Sequence, residues 1–195
     1  PASPVGSAKN PTKNVIRVIN NWVGDAAKEL KIRLSNVNIK VDNTSRYASG
    51  GRDFYFDEWN YYYGVSAAQV KGTGNTKIEL DGQNVLDSYS VLYQAGLRKQ
   101  GEGTLTITDE TDDTGKKITT PKSESDTSGS LTAKGAGGNG AAGIGGNVAE
   151  GTKNIIIEGY ATVHAAGGDW GAGIGGGGSL GGRSGNAEKI TIQGH

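Results

Sequence analysis

Four carboxylates crowd the run Asp109-Glu110-Thr111-Asp112-Asp113-Thr114-Gly115. Oxygen-rich turns of this kind can hold calcium. The spacing departs from an EF-hand loop, which needs acidic or amide side chains at its first, third and fifth positions and glycine at its sixth. Lys116 and Lys117 follow at once, so a solvated acidic turn is expected and no metal is assigned. Glu79 and Asp81 on one short strand, with Asp109 on the next, could approach one another. Two carboxyls ~5–10 Å apart can serve as acid and base on a glycosidic bond. Nothing in the sequence distinguishes these three from ordinary exposed acids. His164, with Asp169 and Trp170 after it, reads as a surface histidine, and Trp170 stands at a corner where small residues are expected.

The second chemical signal is aromatic. Of 3 Trp, 8 Tyr and 2 Phe, eight lie between positions 47 and 63: Tyr47, Phe54, Tyr55, Phe56, Trp59, Tyr61, Tyr62 and Tyr63. Arg52, Asp53, Asp57 and Glu58 are interleaved. One reading makes the aromatics a satellite core beneath a long loop. The other makes Tyr55, Trp59, Tyr61, Tyr62 and Tyr63, extended by Trp170, a ligand-binding platform. Tyrosine and tryptophan pair a flat apolar face with a polar edge, which matches the C–H faces and hydroxyl edges of sugars. Tyr61, Tyr62 and Tyr63 cannot all point inward from an extended chain, because neighbours alternate.

Composition removes several other chemistries. The chain has no cysteine and two histidines, His164 and His195. Disulfides, thiolate zinc, iron–sulfur clusters and a thiol nucleophile are therefore excluded. Lys+Arg and Asp+Glu balance at 20 each, against a dedicated nucleic-acid binder. No apolar run is long enough to span a bilayer as a helix. G-x-G-x-x-G matches through 171–178 carry no information in so glycine-rich a stretch, and no crossover helix follows them. No cofactor is assigned.

The elements that must position these residues are short. Glycine contributes 34 of 195 residues. Ala141-Ala142-Gly143-Ile144-Gly145-Gly146 recurs as Gly171-Ala172-Gly173-Ile174-Gly175-Gly176. Ile155-Ile156-Ile157-Glu158-Gly159-Tyr160 recurs as Ile190-Thr191-Ile192-Gln193-Gly194-His195. Period-two apolar runs at 15–19, 31–34, 37–39, 77–80, 104–108 and 130–132 read as earlier strands of the same kind. No single unit of this size buries its apolar face, whereas stacked repeats do. Glycine between strands supplies tight corners. The expected fold is all-β: a right-handed parallel β-helix, its hand taken from the general preference of parallel crossovers. Residues 20–30 place Trp22, Val23, Ala26, Ala27 and Leu30 at helical spacing. They form either a short cap helix, with Asn20 or Asn21 as N-cap, or a loop, towards which Gly24 weighs.

The segment from about 129 to 195, through Gly171-Ala172-Gly173-Ile174-Gly175-Gly176-Gly177-Gly178 and Asn154-Ile155-Ile156-Ile157-Glu158-Gly159, resembles the glycine-rich β-helix repeats of large secreted or wall-attached proteins of Gram-positive gut bacteria. Such repeats look similar to those in carbohydrate-binding surface proteins and to the architecture of lacto-N-biosidases. The resemblance implies an extracellular setting and a glycan ligand. It carries over no catalytic residue, and Tyr160 and Trp170 depart from its pattern.

The organisation expected is a loose lead-in at 1–14 and a single domain at 15–195, with an aromatic excursion at 42–76 and a polar loop at 109–128. The domain is expected to be a fragment of a longer stack. The expected function is a non-catalytic, extracellular bacterial surface module that binds carbohydrate or a host surface. Two alternatives stand beside it. One is the N-terminal part of a glycoside hydrolase or lyase with paired carboxylates. The other is a structural or self-assembling spacer. Further repeats of a longer chain, or another copy, are the expected partners at the C-terminal end.

Overall fold

The computed structural model describes residues 10–25, 28–47, 53–57, 60–112, 114–120, 122–123, 126–138, 140–179 and 181–194, with the side chains of 53–57 and 60–63 excepted. Among the described residues the structure is all-β, and no α-helix forms.

Sixteen short strands follow one another, and fourteen of them fall into three parallel sheets. Sheet I joins β1 (Ile16–Ile19), β6 (Ala68–Lys71), β9 (Leu97–Gln100), β12 (Ile144–Gly145) and β15 (Ile174–Gly175). Sheet II joins β2 (Leu30–Ser35), β7 (Thr76–Asp81), β10 (Leu105–Asp109), β13 (Thr152–Gly159) and β16 (Ala187–Ile192). Sheet III joins β3 (Asn38–Lys40), β8 (Gln83–Asp87), β11 (Ser130–Lys134) and β14 (Thr162–Ala166). The remaining two, β4 (Asp53–Asp57) and β5 (Asn60–Gly64), form an antiparallel ribbon. The chain visits sheets I, II and III in turn, so sequence neighbours lie in different sheets and each ladder links strands from successive visits.

The expectation of one right-handed parallel β-helix with an N-terminal cap is corrected. The strands separate into three parallel sheets around a shared core, an antiparallel ribbon is added, and residues 20–25 and 28–29 connect β1 to β2 without a helix. Period-two runs report that a segment is a strand and which side is apolar. They do not report which strands share a sheet, and the usual hand of parallel crossovers says nothing about that division.

Register explains why the runs are apolar where they are. In sheet II, Ile32, Ile78, Ile107, Ile157 and Ile192 stand in one row, partner to partner. In sheet I the two repeated isoleucines, Ile144 and Ile174, pair directly, and Leu97 and Ala68 continue their row. Leu86, Leu131 and Ala133 bring sheet III into the same apolar cluster as Val70, Leu97, Leu80, Leu105 and Ile155. Burying side chains of this size contributes roughly 1.5–3 kcal/mol each. β6 escaped sequence reading because Ala-Gln-Val-Lys carries one large apolar residue; it lies inside the stretch 42–76 and pairs with both β1 and β9.

Candidate functional site

Four connections run from sheet III back to sheet I: 41–67, which contains the β4–β5 ribbon, then 88–96, 135–143 and 167–173. Each links strands that are neighbours in both sheets, so the four lie side by side along one corner. Backbone hydrogen bonds tie them together. Gly137 N donates to the Tyr89 carbonyl (3.2 Å) and Ala136 N to that of Gln94 (2.9 Å). Gly140 N donates to the Asp169 carbonyl (2.7 Å) and Gly168 N to that of Ala141 (2.9 Å). A methyl group on Gly64, at the end of the ribbon, would lie 2.8 Å from Gln94 Cγ and 3.2 Å from the Leu92 carbonyl. The ribbon therefore abuts the second connection.

Buried polar side chains hold this corner in shape. Asn147 Nδ2 donates to Gln94 Oε1 (2.9 Å), and Asn147 Oδ1 accepts from Ala95 N (2.8 Å) and Ser66 Oγ (3.4 Å). Ser88 Oγ accepts from Ala67 N and donates to the Ala95 carbonyl, both at 2.9 Å. Ser66, Ser88, Gln94 and Asn147 are all buried. Satisfied networks of this kind are rigid, and losing one member orphans the others.

On that base stand two exposed aromatics. Tyr89 is 63% and Trp170 59% exposed, and Leu92, on the same connection as Tyr89, is 40% exposed. Asp87 Oδ1 accepts from Tyr89 N (2.9 Å) and sets the turn that carries the ring outward. A methyl on Gly137 would collide with the Tyr89 ring, so glycine there lets the ring lie across the backbone. Gly138 opens onto empty space. Trp170 has φ +64°, a left-handed conformation that is costly for a bulky residue and that tends to cluster at functional positions. Tyr89 and Trp170 are separated by one intervening connection. They are therefore two rows apart, about 10 Å in the direction of the ladders, and offset across the corner, since Tyr89 stands level with Gly137 and Asp169 with Gly140. The result is a ring, a glycine floor and a second ring.

The platform residues expected from the sequence fall in different places. The backbones of Tyr55, Tyr61, Tyr62 and Tyr63 lie in the ribbon, where Tyr55 pairs with Tyr62, Phe56 with Tyr61 and Phe54 with Tyr63. Trp59 lies outside the described residues. Trp170, distant in sequence, shares the ribbon's corner. Tyr47 is buried and stacks under the Arg17 guanidinium at 4.5 Å. Tyr89 and Leu92 escaped sequence reading. The one available signal was an aromatic placed in a turn directly after a strand, and it is weak.

The carboxylates are engaged elsewhere. Glu79 Oε1 accepts from Glu110 N (2.8 Å), Thr111 N (2.7 Å) and Thr111 Oγ1 (2.8 Å). Asp81 pairs with Arg33 at 3.1 Å. Asp109 pairs with Lys122, whose amine also donates to the Ser128 carbonyl (2.9 Å) and Ser128 Oγ (3.0 Å). Burial pushes the Asp109 carboxyl up; Lys122 opposes the shift, and Glu79 and Asp81 add to it. These groups pin the connection between β10 and β11 to sheet II. Asp81, Asp109 and Lys122 border a cavity of about 540 Å³, but their charges are spent on ion pairs. Asp112 Oδ1 caps its own turn, accepting from Thr114 and Lys116. Among the described residues, no group of three or more His, Asp or Glu side chains could hold a metal ion. His164 is exposed on β14, opposite Thr132.

No family model matches the chain, and neither a curated protein nor a solved structure matches it.

Proposed function

We propose that this chain is a non-catalytic, extracellular bacterial surface module that binds carbohydrate along the Tyr89–Trp170 corner. The observation that carries the reading is the pair of exposed aromatics on connections two rows apart at one corner, Tyr89 lying against Gly137 and Trp170 in a left-handed conformation. Aromatic faces stack on the apolar faces of sugar rings while their polar edges meet hydroxyls. The exposed Asp169 carboxylate and the Ser90 hydroxyl border the same corner and offer hydrogen bonds to those hydroxyls.

The test is a glycan array followed by titration of any hit, read by intrinsic tryptophan fluorescence. Trp170→Ala and Tyr89→Ala should each weaken a hit about tenfold, equivalent to about 1.4 kcal/mol. Far-UV circular dichroism should stay unchanged. Binding that survives both substitutions would move the site off this corner. A blank array would end the carbohydrate reading.

A further inference from the structure

Connections from sheet II to sheet III are short in three of the four turns: 36–37, 82 and 160–161. The one from β10 to β11 runs from 110 to 129. Ordering an excursion of that length costs conformational entropy, and the chain has no cysteine with which to staple it. Glu79 holds its start through the amides of Glu110 and Thr111. Near its end Gln83 Nε2 donates to Thr127 Oγ1 (2.6 Å). Between these, Lys122 reaches down to Asp109, the last residue of β10.

The pair is enclosed. The Asp109 side chain is 1% exposed and that of Lys122 15%. Gly129 makes room for the carboxyl: it has φ +66°, and a methyl there would fall on Asp109 Oδ2. The Lys122 amine has three directions to fill. Two go to Ser128, to its carbonyl (2.9 Å) and its Oγ (3.0 Å), and the third goes to Asp109. A neutral amine has two N–H bonds and one lone pair. With both donors kept by Ser128, the lone pair faces the Asp109 carboxyl. A nucleophile held against its electrophile in this way reacts as one molecule rather than two.

Burial favours the neutral forms that such a reaction needs. It pushes the Asp109 carboxyl up; Lys122 opposes the shift, and Glu79 and Asp81 add to it. Moving the ammonium proton onto the carboxylate turns the ion pair into an amine and a carboxylic acid, the two reactants of an amide. Asp81 completes the group. Its side chain is 3% exposed, it lines the same cavity as Asp109 and Lys122, and its charge acts on Asp109.

We infer that Lys122 Nζ and Asp109 Cγ condense into an isopeptide bond that ties the 110–129 excursion covalently to the end of β10. The Nζ lone pair attacks Cγ. Asp81 takes a proton from the nitrogen and returns it to the departing hydroxyl. The Cγ–N bond forms, one Cγ–O bond breaks and one water leaves; nothing is oxidised or reduced. The ion pair is the open form from which the bond closes. The closed form keeps one N–H for Ser128 and leaves no charge on either group.

Intact-mass spectrometry of the unfolded 195-residue chain tests it. The mass should fall one water short of the sequence. Trypsin should leave the chain uncut after Lys122 and yield a branched product joining 100–116 to 118–134. Lys122→Arg keeps the cation and cannot form this amide, so it should show its full sequence mass. Asp109→Asn should still close, losing ammonia instead of water, and reach the same final mass as the closed wild type. Asp81→Asn should leave most of the chain open, at its full mass. The wild-type mass decides without any variant having to fold. A wild-type chain at full sequence mass, cut by trypsin after Lys122, would overturn the inference. So would a water loss that survives Lys122→Arg, because it would place the dehydration elsewhere.

Discussion

Lys99 is the residue at which the fold makes its sharpest quantitative demand. It occupies an inward row of sheet I, beside Val70 and in line with Val18, and it is 2% exposed. Its amine donates to the Gly101 carbonyl at 2.7 Å. Burial pushes its pKa from the ordinary 10.5 down to about 8; Glu102 opposes the shift and Lys153 adds to it. Between those two values the unfolded chain holds a proton that the folded chain has released, so stability rises with pH across this window, and the penalty is fully present below it. The whole gap is worth about 3 kcal/mol at 1.36 kcal/mol per unit. Most of the accessible rise, about 1–2 kcal/mol, falls between roughly pH 8 and pH 9.5, before most other lysines and the tyrosines titrate. The perturbation is Lys99→Met, which keeps the length of the side chain and removes the charge. Urea unfolding followed by circular dichroism, repeated at half-unit steps from neutral pH upward, measures both proteins. The wild type should gain stability on alkalinisation and the variant should stay flat, so the wild type should gain about 1–2 kcal/mol on the variant as the pH rises through this window. At neutral pH the variant should equal or exceed the wild type. Parallel profiles would refute the reasoning, because they would mean that the amine is as well solvated in the folded chain as in the unfolded one.

Other expectations follow from particular contacts. Lys122→Met strips the cation from buried Asp109 and should cost about 3–5 kcal/mol at neutral pH. That loss should shrink on acidification as the carboxyl, already pushed up by burial, takes a proton, and adding Asp109→Asn should recover much of it; thermal unfolding of the single and double variants checks both statements. Asn147→Ala orphans buried Ala95 N and leaves Gln94 Oε1 only its bond from Ser66 Oγ, and should cost about 1–3 kcal/mol in chemical unfolding. Gly137→Ala displaces the Tyr89 ring, the far end of a mobile side chain, so it should lower ligand affinity in the fluorescence titration while shifting stability by less than about 1 kcal/mol. Gly140→Ala, by contrast, drives a methyl into the Gly178 carbonyl and should destabilise the fold by at least about 2 kcal/mol, visible as a lower melting temperature.

What the sequence determined by itself was local. Period-two runs located β1, β2, β3, β7, β10 and β11 close to their observed bounds, because alternation of apolar and polar side chains is a property of single strands; the repeat of Ile155–Tyr160 at Ile190–His195 marked β13 and β16, each of which begins three residues earlier. The glycine–isoleucine repeat was legible as a repeat but read as corners between strands, whereas its isoleucines lie in β12 and β15, two strands of two residues each. Absence of cysteine and scarcity of histidine removed whole classes of chemistry without reference to shape. Three things depended on contacts between residues far apart in the chain. The assignment of strands to three sheets depends on which ladders close, and residues dozens of positions apart decide that. The use of Glu79, Asp81 and Asp109 as anchors follows from Arg33, Lys122 and the backbone of Glu110 and Thr111 arriving beside them. Tyr89 and Trp170 share a corner because successive connections stack there, so that aromatics 81 positions apart in sequence come to lie two connections apart. Local physics sets which residues are strand and turn; the pairing of distant edges sets what those strands and turns bring together.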